Sequence, residues 1–127
     1  MSILNGKSVL VIEDDEMLRE IIADTFRHEK SIVHVAEGAN PGIAILQRET
    51  VDAVVSDVMM ADGDGFELLL WLQDFKKQNP VTVMISGFSQ MSKKKALELG
   101  AVDLLNKPFK QTDLLRVVKD ELLKKKK

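Results

Sequence analysis

Polar side chains follow the short apolar segments of this chain, at the points where those segments end. In chain order they are Glu13, Asp14, Asp57, Ser86 and Lys107. Carboxylates about 4 Å apart repel one another by roughly 4 kcal/mol at an effective dielectric constant near 20, so a cluster of three acids requires a bound cation or a proton. Because the chain has no Cys and because His28 and His34 lie elsewhere, the oxygen ligands predict Mg2+, with Mn2+ as the alternative, rather than zinc.

The segments that must bring these side chains together are short runs rich in Val and Ile, which alternate with longer stretches of helical periodicity. We predict strands at residues 9–12, 32–35, 53–56, 81–85 and 103–105. The first and fourth are apolar at nearly every residue, which is typical of central strands covered by helices on both faces. Five strands alternating with five helices predict an α/β fold with a doubly wound parallel sheet. Ligands of such sheets bind at the carboxyl ends of the strands, where the polar residues lie.

Helices are predicted from apolar residues that recur on neighbouring turns. A first helix carries one apolar stripe made of Met17, Leu18, Ile21, Ile22, Thr25 and Phe26. A third helix, which includes Phe75, is expected over residues 64–78, because Phe66, Leu69, Leu70 and Leu72 are apolar on neighbouring turns. Pro80 cannot continue it and therefore marks its end. A fourth is expected near residues 90–99, with Gly100 as its C-terminal stop. The last helix carries a stripe made of Leu114, Leu115, Val117, Val118 and Leu122.

The composition is that of a globular domain. The chain has 127 residues, 45% hydrophobic and 30% charged, which is enough to bury a core without disulfides. We expect one domain over residues 1–127, with a core from about 7 to 123 and a tail of four lysines at 124–127. The longest apolar run, residues 68–72, is far too short to span a membrane, and the absence of cysteine favours the cytoplasm.

The charge balance argues against nucleic acid as a direct ligand. The chain has 18 basic and 20 acidic side chains, and removing the four terminal lysines leaves 14 against 20, a net charge of −6. An acidic body of this kind repels phosphate backbones. The lysine runs at 93–95 and 124–127 are interpreted as solvated surface, and we assign them no function.

Two other kinds of site are excluded by their spacing. The segment from Asp62 to Gly65 has the alternating Asp and Gly of a calcium loop, but such a loop would need Gly and Glu where the chain has Glu67 and Gln73. Nucleotide-binding relatives of the fold carry a Gly-x-Gly-x-x-Gly segment after a strand or a P-loop, and the chain has neither. A nucleotide-dependent enzyme is therefore not expected.

Four ordered segments of the chain resemble the motifs of receiver domains of two-component response regulators, the group typified by the chemotaxis receiver protein. They are Val-Leu-Val-Ile-Glu-Asp-Asp-Glu at 9–16, Ser-Asp-Val-Met-Met-Ala-Asp-Gly-Asp-Gly at 56–65, Val-Met-Ile-Ser-Gly at 83–87 and Leu-Asn-Lys-Pro-Phe at 105–109. The resemblance extends from Lys7 to Leu123. It implies a CheY-like fold with strand order 2-1-3-4-5, and a regulatory phosphoacceptor domain that assists its own phosphorylation and dephosphorylation rather than an enzyme.

The resemblance also implies a role for each polar residue. Asp57 is implied as the phosphoacceptor, and Ser86 and Lys107 as the residues that bind the phosphoryl group. The implied Mg2+ ligands are Glu13, Asp14, Asp57 and the backbone carbonyl of Met59. The implied partners are a histidine kinase or phosphotransfer protein, which contacts the first helix, and a downstream protein, which contacts the face formed by helix four, strand five and helix five. A cis peptide bond is implied before Pro108.

Some positions depart from the usual receiver pattern. Leu104 stands where receivers usually carry a Tyr, Phe or His that moves inward on phosphorylation, and Ala61 replaces a proline, which predicts a looser loop. Met59 and Phe88 are large and apolar, and we hypothesise that they shield an acyl phosphate from water and lengthen its lifetime. Because of Leu104, a receiver-like interaction module that does not signal by phosphorylation is the alternative function, although the complete polar set argues against it.

Overall fold

The computed structural model describes residues 2–87 and 92–125, which form a parallel sheet with helices on both faces. Five strands make this sheet: β1 (Ser8–Ile12), β2 (Ile32–Ala36), β3 (Ala53–Asp57), β4 (Val81–Ser86) and β5 (Asp103–Asn106). Their order across the sheet is β2-β1-β3-β4-β5, which confirms the predicted fold class and strand order. Each observed strand is one residue longer than the predicted one.

Helices follow the strands in alternation: α1 (Glu16–Arg27), α2 (Ala39–Arg48), α3 (Gly65–Asp74), α4 (Lys93–Glu98) and α5 (Gln111–Lys125). Side chains alternate across a strand, so Val9 and Val11 of β1 pack against α1 and α5, whereas Leu10 and Ile12 pack against α2 and α3. Strands β1, β3 and β4 are buried at every residue, and the edge strands β2 and β5 are partly exposed. The predicted central positions of the first and fourth strands are thus confirmed.

The apolar stripe predicted for α1 is wider than the face that α1 buries. Ile22 and Phe26 are fully buried against the sheet, but Met17 is 75% and Ile21 is 46% exposed. A helix turns by about 100° per residue, so Met17 and Ile21, each one position ahead of the buried row, point away from the sheet. The predicted apolar stripe is therefore buried only in part, and Met17 and Ile21 are its exposed members.

Helix α3 ends earlier than predicted, at Asp74 rather than near residue 78. Phe75 has left the helical conformation (φ −82°, ψ 95°), and its ring stacks on Trp71 with 4.5 Å between centroids. The side chain of Gln78 donates to the carbonyl of Leu46 at the end of α2, so Gln78 contacts α2 instead of extending α3.

Helix α4 is shorter than the predicted one within the described residues. It begins at Lys93, after Ser92 has accepted the N–H of Lys95 at 3.0 Å; residues 90 and 91 of the prediction lie outside the described residues. Gly100, with φ +105°, ends the helix as expected, because this conformation favours glycine. Across residues 2–87 and 92–125, no helix combines the length and the apolar character needed to cross a membrane.

Candidate functional site

The turn after β1 presents two acidic residues with different exposure. Glu13 continues the pairing with β2, because its N–H donates to the carbonyl of Ala36 at 3.0 Å. Its Oε2 accepts the N–H of Asp15 at 3.1 Å, and Asp15 in turn caps α1 by accepting the N–H of Leu18. Glu13 is only 1% exposed, whereas Asp14 is exposed.

The side chains of Asp57 and Lys107 are in contact beside this turn, as predicted from their positions at the carboxyl ends of two strands. Asp57 is the last residue of β3 and is 5% exposed. The Nζ of Lys107 lies 2.8 Å from Oδ2 of Asp57 and 3.2 Å from Oε1 of Glu13. The lysine therefore bridges the two buried carboxylates at the carboxyl edge of the sheet, although it leaves the sheet from β5 and they leave it from β3 and β1.

The end of β4 joins the same edge through the backbone. Ser86 is the last residue of β4 and is buried, and its carbonyl accepts the N–H of Lys107 at 2.8 Å. The peptide bond between Lys107 and Pro108 is cis, as the resemblance implied. All five polar residues singled out from the sequence thus lie at one edge of the sheet.

The electrostatics of the site are set by burial and by the three acids. Burial, followed by the negative charge of Asp57, raises the pKa of Glu13 from 4.5 to about 7, although the N–H of Asp15 and the charge of Lys107 oppose this rise. Burial by itself lowers the pKa of Lys107, but its hydrogen bond and ion pair with Asp57 and its contact with Glu13 outweigh burial and raise that pKa above its usual value. Lys107 therefore stays cationic beside a glutamate whose own charge is costly.

The acidic residues fit a divalent cation. One carboxylate oxygen from each of Glu13, Asp14 and Asp57 lies within 4.8 Å of the others. Oε1 of Glu13 is buried, and Nζ of Lys107 lies 3.2 Å from it. Three carboxylates this close repel one another, and a divalent cation would reduce that repulsion. Carboxylate oxygens suit Mg2+ or Mn2+ better than softer metals.

The loop after Asp57 folds into a short hairpin. Met59–Met60 pairs antiparallel with Gly63–Asp64, and the N–H of Met59 points back to Oδ1 of Asp57 at 3.3 Å. The side chain of Met59 is 49% exposed at the edge of the site. Phe88, the other residue of the shielding hypothesis, lies outside the described residues.

Two contacts of the site were not foreseen from the sequence. Nη1 of Arg19 donates to the carbonyl of Glu13 at 3.0 Å, and so ties α1 to the peptide that joins the two acidic residues. The carboxylate of Asp62 binds the first turn of α2. The contact of Arg19 could have been expected, because an arginine one turn into a helix can reach back to an acidic pair that precedes the helix. No sequence pattern indicates the contact of Asp62.

Leu104 on β5 is part of the core. It is 7% exposed and belongs to a cluster with Met84 of β4, Leu69 of α3, and Ala96 and Ala101 around α4. Lys93 of α4 reaches Asp103 of β5 at 3.1 Å. At this position β5 therefore contributes a packed aliphatic side chain.

Comparison with known proteins points to one family. The family described as the response regulator receiver domain matches residues 9–119. The transcriptional regulatory protein GltR of Pseudomonas aeruginosa is 33% identical over 119 residues, which are 91% of this chain and 48% of GltR. This chain thus spans about half the length of that relative.

Solved structures share the whole fold. A CheY-like receiver domain protein from Methanospirillum hungatei has a TM-score of 0.88 at 24% identity, covering 96% of this chain and 98% of that one. The receiver domain of Saccharomyces cerevisiae Ssk1, solved with the histidine phosphotransfer protein Ypd1, has a TM-score of 0.81 at 24% identity, covering 92% and 89%. At these identities the likeness establishes the fold.

Proposed function

Since this chain belongs to the response regulator receiver domain family, we propose that it accepts a phosphoryl group on Asp57 from a histidine kinase or a phosphotransfer protein. The observation that supports this most directly is the bridge of Lys107 between Asp57 and Glu13, at 2.8 and 3.2 Å. A nearly buried aspartate beside a fixed cation and a metal-binding cluster is suited to phosphoryl transfer, which depends on positioning and on charge neutralisation.

In the proposed transfer, a carboxylate oxygen of Asp57 forms a bond to phosphorus while the bond from phosphorus to the imidazole nitrogen of the donor breaks. The electron pair of that bond stays with the imidazole nitrogen, which takes up a proton from solvent. Glu13, Asp14, Asp57 and the backbone carbonyl of Met59 would hold Mg2+, which would supply positive charge to neutralise the phosphoryl oxygens.

Lys107 and Ser86 are proposed to bind the transferred group. The ammonium of Lys107 exchanges its contact with the carboxylates for a phosphoryl oxygen, and the hydroxyl of Ser86 donates to another. The bond from the N–H of Lys107 to the carbonyl of Ser86 fixes the two backbones relative to each other before transfer. Donors positioned in this way stabilise developing charge.

The phosphodonor is proposed to dock on α1. Met17 and Ile21 form an exposed apolar pair there, flanked by the acidic residues Glu16 and Glu20. Ssk1, which shares the fold, was solved with a histidine phosphotransfer protein, and this supports a donor of the same class. The downstream protein is proposed to contact the face formed by α4, β5 and α5, and phosphorylation to change that contact.

One observation favours a second candidate function. Leu104 is buried in the core beside α4, so it does not have the freedom of a surface side chain to move inward when the site changes. A receiver-like module that binds its partner through the same face without phosphorylation is therefore the alternative.

Measurement of intact mass separates these functions. We expect the protein to gain one phosphoryl group on incubation with acetyl phosphate or phosphoramidate and Mg2+, and to gain none after chelation or in the Asp57→Asn variant. Absence of labelling in the wild type, together with absence of beryllofluoride binding, would contradict the phosphoacceptor proposal and favour the interaction module.

A further inference from the structure

The N-terminus of α2 is capped by a side chain from the loop that follows Asp57. Gly38, the residue before α2, provides no side-chain cap. Instead, Oδ1 of Asp62 accepts the N–H of Ala39 and Oδ2 accepts the N–H of Asn40, both at 2.8 Å. A carboxylate in this position also lies at the positive end of the helix dipole.

These two bonds complete the first turn of the helix. Pro41, the third helical residue, has no N–H, and the N–H of Gly42 bonds to the carbonyl of Gly38 at 3.1 Å. The first turn of a helix leaves its N–H groups without intrahelical partners. Asp62 therefore satisfies both N–H groups that this turn leaves free.

Gly38 provides the space for this contact. A Cβ at residue 38 would lie 2.4 Å from Oδ1 of Asp62, so any larger residue would displace the carboxylate. The backbone of Gly38 is extended, with φ −169°, a conformation open to every residue. Space rather than backbone freedom thus explains a glycine here.

Asp62 stands at the tip of the hairpin that carries Met59. The ladder between Met59–Met60 and Gly63–Asp64 has only two pairs, closed by the bond from the N–H of Gly65 to the carbonyl of Val58 at 2.7 Å. A two-stranded ladder is marginally stable by itself. The bonds of Asp62 join its tip to a helix that is packed on the sheet.

We propose that Asp62 is a positioning residue, which fixes the hairpin to α2 and thereby holds Met59 in place for metal binding. The inference rests on the proposed function, in which the carbonyl of Met59 is a Mg2+ ligand. Contacts that orient metal ligands change metal affinity by about 10- to 100-fold. The looser loop expected from Ala61 is thus countered by a fixed attachment one residue later.

The test compares substitutions at the two ends of α2. Asp62→Ala and Gly38→Ala both break the contact, and Asp62→Asn keeps one acceptor oxygen. Gln78→Ala is the matched control, because Gln78 bonds to the carbonyls of Leu46 and Glu49 at the opposite end of α2. Mg2+ affinity is measured by calorimetry, and exchange of the Gly65 amide hydrogen is measured in the metal-free protein.

We expect Asp62→Ala and Gly38→Ala each to weaken Mg2+ binding about tenfold. The variant that carries both substitutions should bind Mg2+ no more weakly than either single variant, because both break the same contact. The Mg2+ affinity of Asp62→Asn should be intermediate. The Gly65 amide should exchange faster in the first two variants. Gln78→Ala should lower the unfolding temperature but leave affinity and exchange unchanged.

Unchanged Mg2+ affinity in Asp62→Ala, or equal weakening in Gln78→Ala, would overturn the proposal. If the wild type binds no Mg2+, the proposed function fails, and amide exchange decides the contact separately. Faster exchange at Gly65 in Asp62→Ala but not in Gln78→Ala then supports the attachment of the hairpin, and equal exchange refutes it.

Discussion

Glu13→Gln removes a buried negative charge while keeping the shape of the side chain, and we expect it to stabilise the metal-free protein at neutral and higher pH. The oxygen of the Gln amide can still accept the N–H of Asp15, as Oε2 of Glu13 does. The amide nitrogen then takes the place of Oε1, beside Nζ of Lys107, so the variant loses that ion pair. It also removes the cost of burying a charge and the repulsion from Asp57, which together outweigh Lys107 in setting the pKa of Glu13.

The pKa of Glu13 gives the size and the pH range of this effect. The folded protein holds the proton of Glu13 up to about pH 7, whereas the unfolded chain releases it near 4.5. The contribution of Glu13 to the unfolding free energy is therefore fully present below about pH 4.5. It falls as the pH rises from about 4.5 to about 7 and is lost above about pH 7. At about 1.4 kcal/mol per pKa unit, the ionised side chain costs on the order of 3 kcal/mol of unfolding free energy.

Urea unfolding at two pH values measures the difference, with the fluorescence of Trp71 and circular dichroism as probes. At about pH 8 in the presence of a chelator, Glu13→Gln should exceed the wild type in unfolding free energy by about 1–3 kcal/mol, and near pH 4.5 the two should agree. Glu37→Gln, at an exposed glutamate after β2, is the control and should give no such pH-dependent gain.

In the presence of Mg2+, the wild type should have the higher unfolding free energy of the two. Mg2+ binds the folded wild type and stabilises it by mass action, whereas the Glu13→Gln variant lacks one proposed ligand. A Glu13→Gln variant that is less stable than the wild type by the same amount at both pH values, without metal, would refute the reasoning. It would mean that the charge of Glu13 is compensated by Lys107 in the folded protein.

Other substitutions test separate parts of the site. Lys107→Met leaves two buried carboxylates without their cation, so the metal-free protein should lose about 1–3 kcal/mol of unfolding free energy and its thermal midpoint should fall. Mg2+ should restore the midpoint, and an unchanged midpoint contradicts this reasoning. Leu104→Ala creates a cavity and should cost about 2–4 kcal/mol in urea unfolding, while mass labelling at Asp57 persists; loss of labelling in a folded variant would contradict this. If Met59 shields the acyl phosphate, Met59→Asn should shorten the phosphoryl lifetime several-fold in a mass-decay assay, and an equal lifetime refutes the hypothesis.

Much of the fold follows from local patterns in the sequence. A strand buried on both faces must be apolar at successive residues, so β1 and β4 are recognisable from their residue types alone. Parallel strands align their carboxyl ends along one edge, and this is why the acids after β1 and β3 and the lysine after β5 were expected to meet. Helix lengths were less predictable: α3 ends at Asp74 although Pro80 lies six residues further on, and Gln78 bonds to the carbonyls of Leu46 and Glu49 in the distant part of the chain around the end of α2.

The sequence by itself determined the alternation of strands and helices, the edge at which the polar residues gather and the kind of ion they suit, because each depends on residue type and spacing along the chain. Only the tertiary structure decided which face of α1 is buried, how far the pKa of Glu13 rises, and which helix N-terminus Asp62 caps. These properties arise between residues distant in sequence, as with the 23 positions that separate Asp62 from Ala39. They depend on packing and desolvation, which no local pattern specifies.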